Sequence, residues 1–140
     1  MTDTSRDAIM RRALWATAVF NLLGALTFVF PADFAGLTGF PTPVPRVYTA
    51  LLTVFVLLFA GAYVWLARQP CIDRPLVALA AVGKAGAFAA VFVCWLAGQI
   101  PGRAALAFSG DAVFAAIFTW WLVGDPAASP AGEFYHTSAS

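Results

Sequence analysis

Four stretches of this 140-residue chain, 13–30, 47–67, 76–98 and 104–124, contain no charged side chain other than Lys84 and Asp111. A hydrocarbon core takes about 20 helical residues to cross, and backbone polar groups inside it must bond to one another. Four runs of this length predict four membrane helices and leave little chain for a second folded unit. Composition agrees: 61% of residues are hydrophobic and 11% charged, where soluble proteins carry about a quarter charged. We read an all-α protein, a four-transmembrane-helix antiparallel bundle formed by residues 1–124, followed by a polar, flexible tail at 125–140. Barrel strands would alternate apolar and polar residues over short segments, and these runs are continuous.

The first run follows Arg6, Arg11 and Arg12, as the apolar region of a secretory signal does. Asn21 interrupts it and no small-x-small pattern sits cleanly before Pro31, so we read a retained helix. Thr4 or Ser5 is the expected N-cap, with Asp7 in the first turn. Five arginines (Arg6, Arg11, Arg12, Arg68, Arg74) fall on one side of the spans and two (Arg46, Arg103) on the other. The positive-inside rule then places both termini in the cytoplasm, in the inner (plasma) membrane of a cell. Trp15, Trp65, Trp120 and Trp121 anchor the arginine-rich interface, and Tyr48 and Trp95 the opposite one.

Between the first two runs lies "PADFAGLTGFPTPVP", whose prolines and glycines preclude a continuous helix. Within it Phe34, Leu37 and Phe40 recur every third residue, the spacing of a short interfacial helical turn with an apolar face on lipid. "RQPCIDRP" and "QIPGR" are tight turns, which make consecutive helices antiparallel neighbours, and Pro75 suits the first turn of the third span. Cys71 and Cys94 fall at opposite ends of the third span, too far apart for a disulfide. Ala80, Gly83, Ala87 and Ala90 give that span a small-residue side, and Gly24 and Ala25 act similarly in the first; in lipid such sides mark helix contacts.

Lys84 is the only lysine in the chain, and it and Asp111 are the ionisable acid and base well inside the spans. A charge at mid-bilayer costs roughly 2.5 to 3.5 kcal/mol on insertion scales, so both should turn inward and meet. Counted at about 1.5 Å per residue, Lys84 lies about 12 Å from one edge and Asp111 about 10 Å from the other. The remaining offset of about 8 Å across a core of about 30 Å is within reach of a lysine stem. Asn21 lies near the middle of the first run, and Thr53 is estimated at the level of Asp111. Asn21, Thr53, Lys84 and Asp111 thus form the expected intramembrane polar cluster, one residue from each span.

Two roles compete for that cluster. Buried polar groups can fix helix register at some energetic cost; intramembrane ionisable groups can also mark a ligand, ion or proton site. No residue pattern identifies a catalytic centre. The one histidine, His136, lies in the tail, which leaves haem without axial ligands, and a metal site would need clustered His, Cys and carboxylates. A small multidrug transporter also has four spans, but would need a carboxylate in the first, where Asn21 stands. No basic patch suggests nucleic acid. The partners to expect are the lipid bilayer and either other membrane subunits or a homo-oligomer.

"NLLGALTFVFP" at 21–31, "GAYVWLARQP" at 61–70, "GKAGAF" at 83–88 and "GDAVFAAIF" at 110–118 resemble the sparse pattern of small DoxX-like bacterial membrane proteins. The resemblance spans most of the chain up to Gly124, and Asn21, Lys84 and Asp111 match its polar positions. It implies a four-helix membrane protein with the cluster as a family feature. The family takes its name from subunits linked to quinone-dependent sulfur oxidation, an activity that likeness of this kind does not transfer. Three functions follow as expectations: an accessory subunit or binder of a lipid-like molecule; a quinone- or redox-linked subunit in which Lys84 and Asp111 hold a head group or relay protons; and a small-molecule transporter. No cofactor is required by the residues; a quinone or a lipid would be the one to look for.

Overall fold

An apolar backbone with no water to bond to must close its hydrogen bonds within each segment, and the chain does so as helices. The computed structural model describes residues 3–40 and 43–124. In order, these form α1 (Asp3–Val29), α2 (Pro31–Thr38), α3 (Arg46–Arg68), α4 (Arg74–Leu96), α5 (Gly102–Ala107) and α6 (Ser109–Val123). Four segments are long and apolar enough to cross a membrane: Ser5–Val29, Arg46–Arg68, Arg74–Leu96 and Gly102–Val123, the last made of α5 and α6 together. The fold is the all-α four-helix bundle that the apolar runs predict. The polar tail expected at 125–140 lies outside the described residues.

Several details differ from the sequence reading. Thr4 and Ser5 already belong to α1, so neither precedes its first turn. The turn of helix expected around Phe34 exists as α2, closed by Gly39 at φ 71°, a left-handed conformation suited to glycine. A side chain at Gly39 would also strike Pro101 and Arg103. Leu37 is the outward residue at 73% exposure, while Phe40 lies beyond α2 and meets Phe108 edge-on at 5.5 Å. In this way α2 runs from the end of α1 to rest against α5. Pro75 sits in the first turn of α4, where Asp73 caps the helix by accepting from the Leu76 N–H at 3.0 Å.

Short turns do not make every consecutive pair neighbours. The packed pairs are α1 with α3 and α4 with α6, joined where α1 meets α6. Although the turn between α3 and α4 is short, the two helices are held less to each other than to these partners. The small-residue side of α4 is also turned: Ala80 is buried, but Gly83, Ala87 and Ala90 are exposed. Residues three and four apart share a helical face, so the buried face that Lys84 shares with Val77, Ala80 and Ala81 is centred away from Gly83. The inward face of α4 is instead Val77, Ala80, Ala81 and Lys84.

The packed core lies in the half of the bundle nearest the N-terminus, where Met10, Leu14, Tyr63, Leu66, Val77, Phe118 and Trp121 come together. At that end, arginines close the helix C-termini. Arg11 Nη1 donates to the carbonyls of Ala67 (2.9 Å) and Gln69 (2.5 Å), and its Nη2 to that of Pro70 (2.7 Å). Arg6 donates to Trp120 O at 2.9 Å and Arg74 to Leu122 O at 2.5 Å. Terminal carbonyls lack helical partners and carry the negative end of the helix dipole, so a guanidinium satisfies both. Trp121 Nε1 donates to Asp7 at 3.0 Å, tying α1 to the end of α6.

Replacing Arg11 with methionine keeps the apolar stem and deletes all three bonds to the end of α3. We expect a loss of about 2 kcal/mol, measured by unfolding in mixed micelles of a mild detergent and dodecyl sulfate. A change below about 0.5 kcal/mol would mean that water replaces the guanidinium there at no cost.

Candidate functional site: a buried lysine, carboxylate and amide

Lys84 lies midway along α4, on the same face as Val77, Ala80 and Ala81, small or compact neighbours that let α6 come close. Its Nζ donates to Asp111 Oδ1 at 2.5 Å and to Asn21 Oδ1 at 2.6 Å. The three residues are 6%, 4% and 7% exposed, respectively for lysine, aspartate and asparagine. Asn21 must present its oxygen to the ammonium, so its Nδ2 faces the other way and donates to Val56 O of α3 at 3.3 Å. One turn before it, the buried Thr17 hydroxyl is satisfied by Ala13 O of its own helix at 2.7 Å. The structure thus joins Asn21, Lys84 and Asp111 and recruits α3 through a backbone carbonyl.

Thr53 is not part of this group. Its hydroxyl donates to Thr49 O at 2.7 Å within α3, and it lines a groove that Asn21, Lys84 and Asp111 do not line. Depth counting misses by about one turn: Val56, not Thr53, stands opposite Asn21, and three residues are about 4.5 Å of helix. A threonine can also satisfy its hydroxyl on the preceding turn, so its presence in a span does not require a partner across the bundle.

Aromatic rings complete the surroundings of the ammonium. Nζ lies 5.0 Å from the ring centroid of Phe20, 5.7 Å from Tyr63 and 5.9 Å from Phe114. Ring faces attract a cation at such distances, most strongly where water is excluded. Phe20 and Phe114 meet edge-on at 5.6 Å, and Tyr63 packs towards Phe118 at 6.0 Å. These residues were legible only in part: Phe20 adjoins Asn21, and Phe114 follows Asp111 by three positions, the spacing of one helical face. Tyr63, well inside its span, gives no sign of which helix it faces.

A break in the fourth span positions Asp111. The chain turns at Phe108 (φ −89°, ψ −1°), between α5 and α6, so Asp111 lies in the first turn of α6. Its N–H donates to Phe108 O at 3.0 Å, and Ser109 Oγ donates to Leu106 O at 2.7 Å, occupying a carbonyl near the break. A carboxylate in a first turn is favoured by the helix dipole. The sequence signal is "SGD" at 109–111: a capping-type serine, a glycine and an acid, the usual opening of a helix. Gly110 serves packing as well, since a Cβ there would strike the Phe20 ring.

Two cavities lie elsewhere, at the end of α1 remote from the arginine-capped termini. A groove of about 1010 Å³ runs between the end of α1 and the first turns of α3, lined by Phe28, Val29, Pro31, Arg46, Ala50 and Val54 among others. A smaller cavity of about 170 Å³ shares Phe28, Pro31, Val44 and Thr49 with it and reaches Thr38 and Phe40. Neither is lined by Asn21, Lys84 or Asp111. Cys71 and Cys94 are free thiols, the first exposed.

With the ammonium engaged by two oxygens and three rings, the arrangement holds charge in place. Lys84→Met alone should cost about 3 to 5 kcal/mol by stranding Asp111, as should Asp111→Asn by stranding the lysine. The double replacement should recover most of that loss, whereas Thr53→Val should stay within about 0.5 kcal/mol of the parent. Micelle unfolding of the four variants measures this, and additive losses in the double variant would show that the pair is not a unit. No family model, curated protein or solved structure matches the chain.

Proposed function

We propose that this is a non-catalytic, multi-pass membrane protein that holds a lipid-like molecule, with Asn21, Lys84 and Asp111 as its internal brace. The observation that carries this reading is the groove between α1 and α3: its volume of about 1010 Å³ and largely apolar walls suit a chain-bearing molecule. It opens beside helices whose outward residues are large and apolar, among them Val29, Leu51 and Val54. In a bilayer such a groove is filled from the hydrocarbon. The arginine distribution supports an inner-membrane protein with both termini in the cytoplasm.

The DoxX-like resemblance fits this reading and rests on the four motifs alone. A quinone is itself lipid-like and would be accommodated in the groove more readily than at Lys84, whose donors face Asn21 and Asp111. Transport through the cluster would need water at Asp111, which is 4% exposed.

Ala50, small and on the groove wall, permits a direct test. Protein extracted in a mild detergent should carry lipid-like molecules detectable by mass spectrometry, and Ala50→Trp should remove at least half of them without lowering the unfolding midpoint. Equal retention by the variant, or none by the parent, would refute the reading.

A further inference from the structure

Resting on the groove as the binding place, we infer that its occupant is an anionic membrane lipid, with the acidic head group held by Arg46. Arg46 is the first residue of α3, exposed, and lines the groove. Most arginines at the other end of the bundle are committed: Arg6, Arg11 and Arg74 to carbonyls, and Arg68 to the face of Trp15 at 5.8 Å. The Arg46 guanidinium has no hydrogen-bond or ion-pair partner among the described residues. The nearest acid in sequence on that side, Asp33 of α2, is exposed and forms no ion pair with it among those residues.

The groove below Arg46 has the charge distribution of an amphiphile turned inside out. From Arg46 it descends along Thr49, Ala50 and Thr53 to Val54, about 12 Å at 1.5 Å per residue. The Thr49 and Thr53 hydroxyls donate to Arg46 O and Thr49 O of their own helix, so both donors in the wall are satisfied. The first turn of α3 itself carries no acidic residue and no side-chain cap. Arginine meets a phosphate with paired N–H donors, which lysine cannot do. The smaller cavity shares Phe28, Pro31, Val44 and Thr49 with the groove. A free anion would gain the guanidinium alone, and a neutral lipid the walls alone.

The test uses the full chain in nanodiscs of phosphatidylglycerol and phosphatidylcholine in equal amounts, followed by extraction and mass spectrometry of the retained lipid. The parent should enrich phosphatidylglycerol about fivefold, Arg46→Gln should return the ratio to that of the bilayer, and Arg103→Gln should leave it unchanged. Inorganic phosphate at millimolar concentration should not displace the lipid. Retention of lipid by the parent with no anionic preference overturns the head-group assignment but leaves the groove reading intact, as does a preference that survives Arg46→Gln. Displacement by phosphate alone would also overturn it. Retention of no lipid at all fails the groove reading itself.

Discussion

An ammonium and a carboxylate buried in the middle of an apolar bundle cannot be left to chance. Each alone would face a desolvation cost of several kcal/mol, so every arrangement in which Lys84 and Asp111 do not meet is strongly disfavoured. Their meeting fixes the rotation of α4 and α6 about their own axes. Asn21 extends the constraint to α1 through Lys84 and, through Val56 O, to α3. Four helices are thus registered by three side chains and one carbonyl. The rings of Phe20, Tyr63 and Phe114 then fill the space that water would otherwise take.

Helix association in lipid gains nothing from burying apolar surface, because lipid is as apolar as leucine. Close packing and polar contacts must supply the specificity, and here they are divided by depth. Mid-span, the ion pair selects which faces meet. At the arginine-rich end, Arg6, Arg11 and Arg74 reach from one helix to the final carbonyls of another. The arginines clustered at this end are therefore also interhelical bonds. Between these two levels lies the dense core of Met10, Leu14, Val77 and Phe118.

The spans were legible because twenty uncharged residues admit few alternatives, and the Lys84–Asp111 pair because its cost admits fewer. Asn21 was legible from depth, since an amide near mid-membrane needs a partner. Thr53 was misjudged because a hydroxyl can be satisfied within its own helix and because counting from span edges carries an error of about a turn. The orientation of α4 was hidden for a related reason: small residues lie all round the helix, and it is Lys84, with Val77, Ala80 and Ala81, that turns inward. The break at Phe108 lies within an apolar run that reads as one span, and its Ser-Gly-Asp signal was overshadowed by hydropathy. Neighbour relations were legible for the first and second spans and for the third and fourth, which pack as consecutive helices, but not for the second and third, because a short turn limits distance without choosing partners.

The break has a further consequence for how the two ends of the molecule relate. On one side of it α6 packs with α1 and α4 and carries Asp111; on the other, α5 packs against α2 near Gly39 and Arg103. The far end is thus assembled from short helices whose contacts do not include the buried pair. A groove bounded by Pro31, Val44 and the first turns of α3 is therefore built from residues other than those of the brace. Conversely, a polar lock confined to mid-span lets the ends of α1 and α3 stand apart, because register is already fixed below them. The cavity at the mouth of α3 then follows from the same constraint that buries Lys84: helices pinned at their centres need not be sealed at their ends.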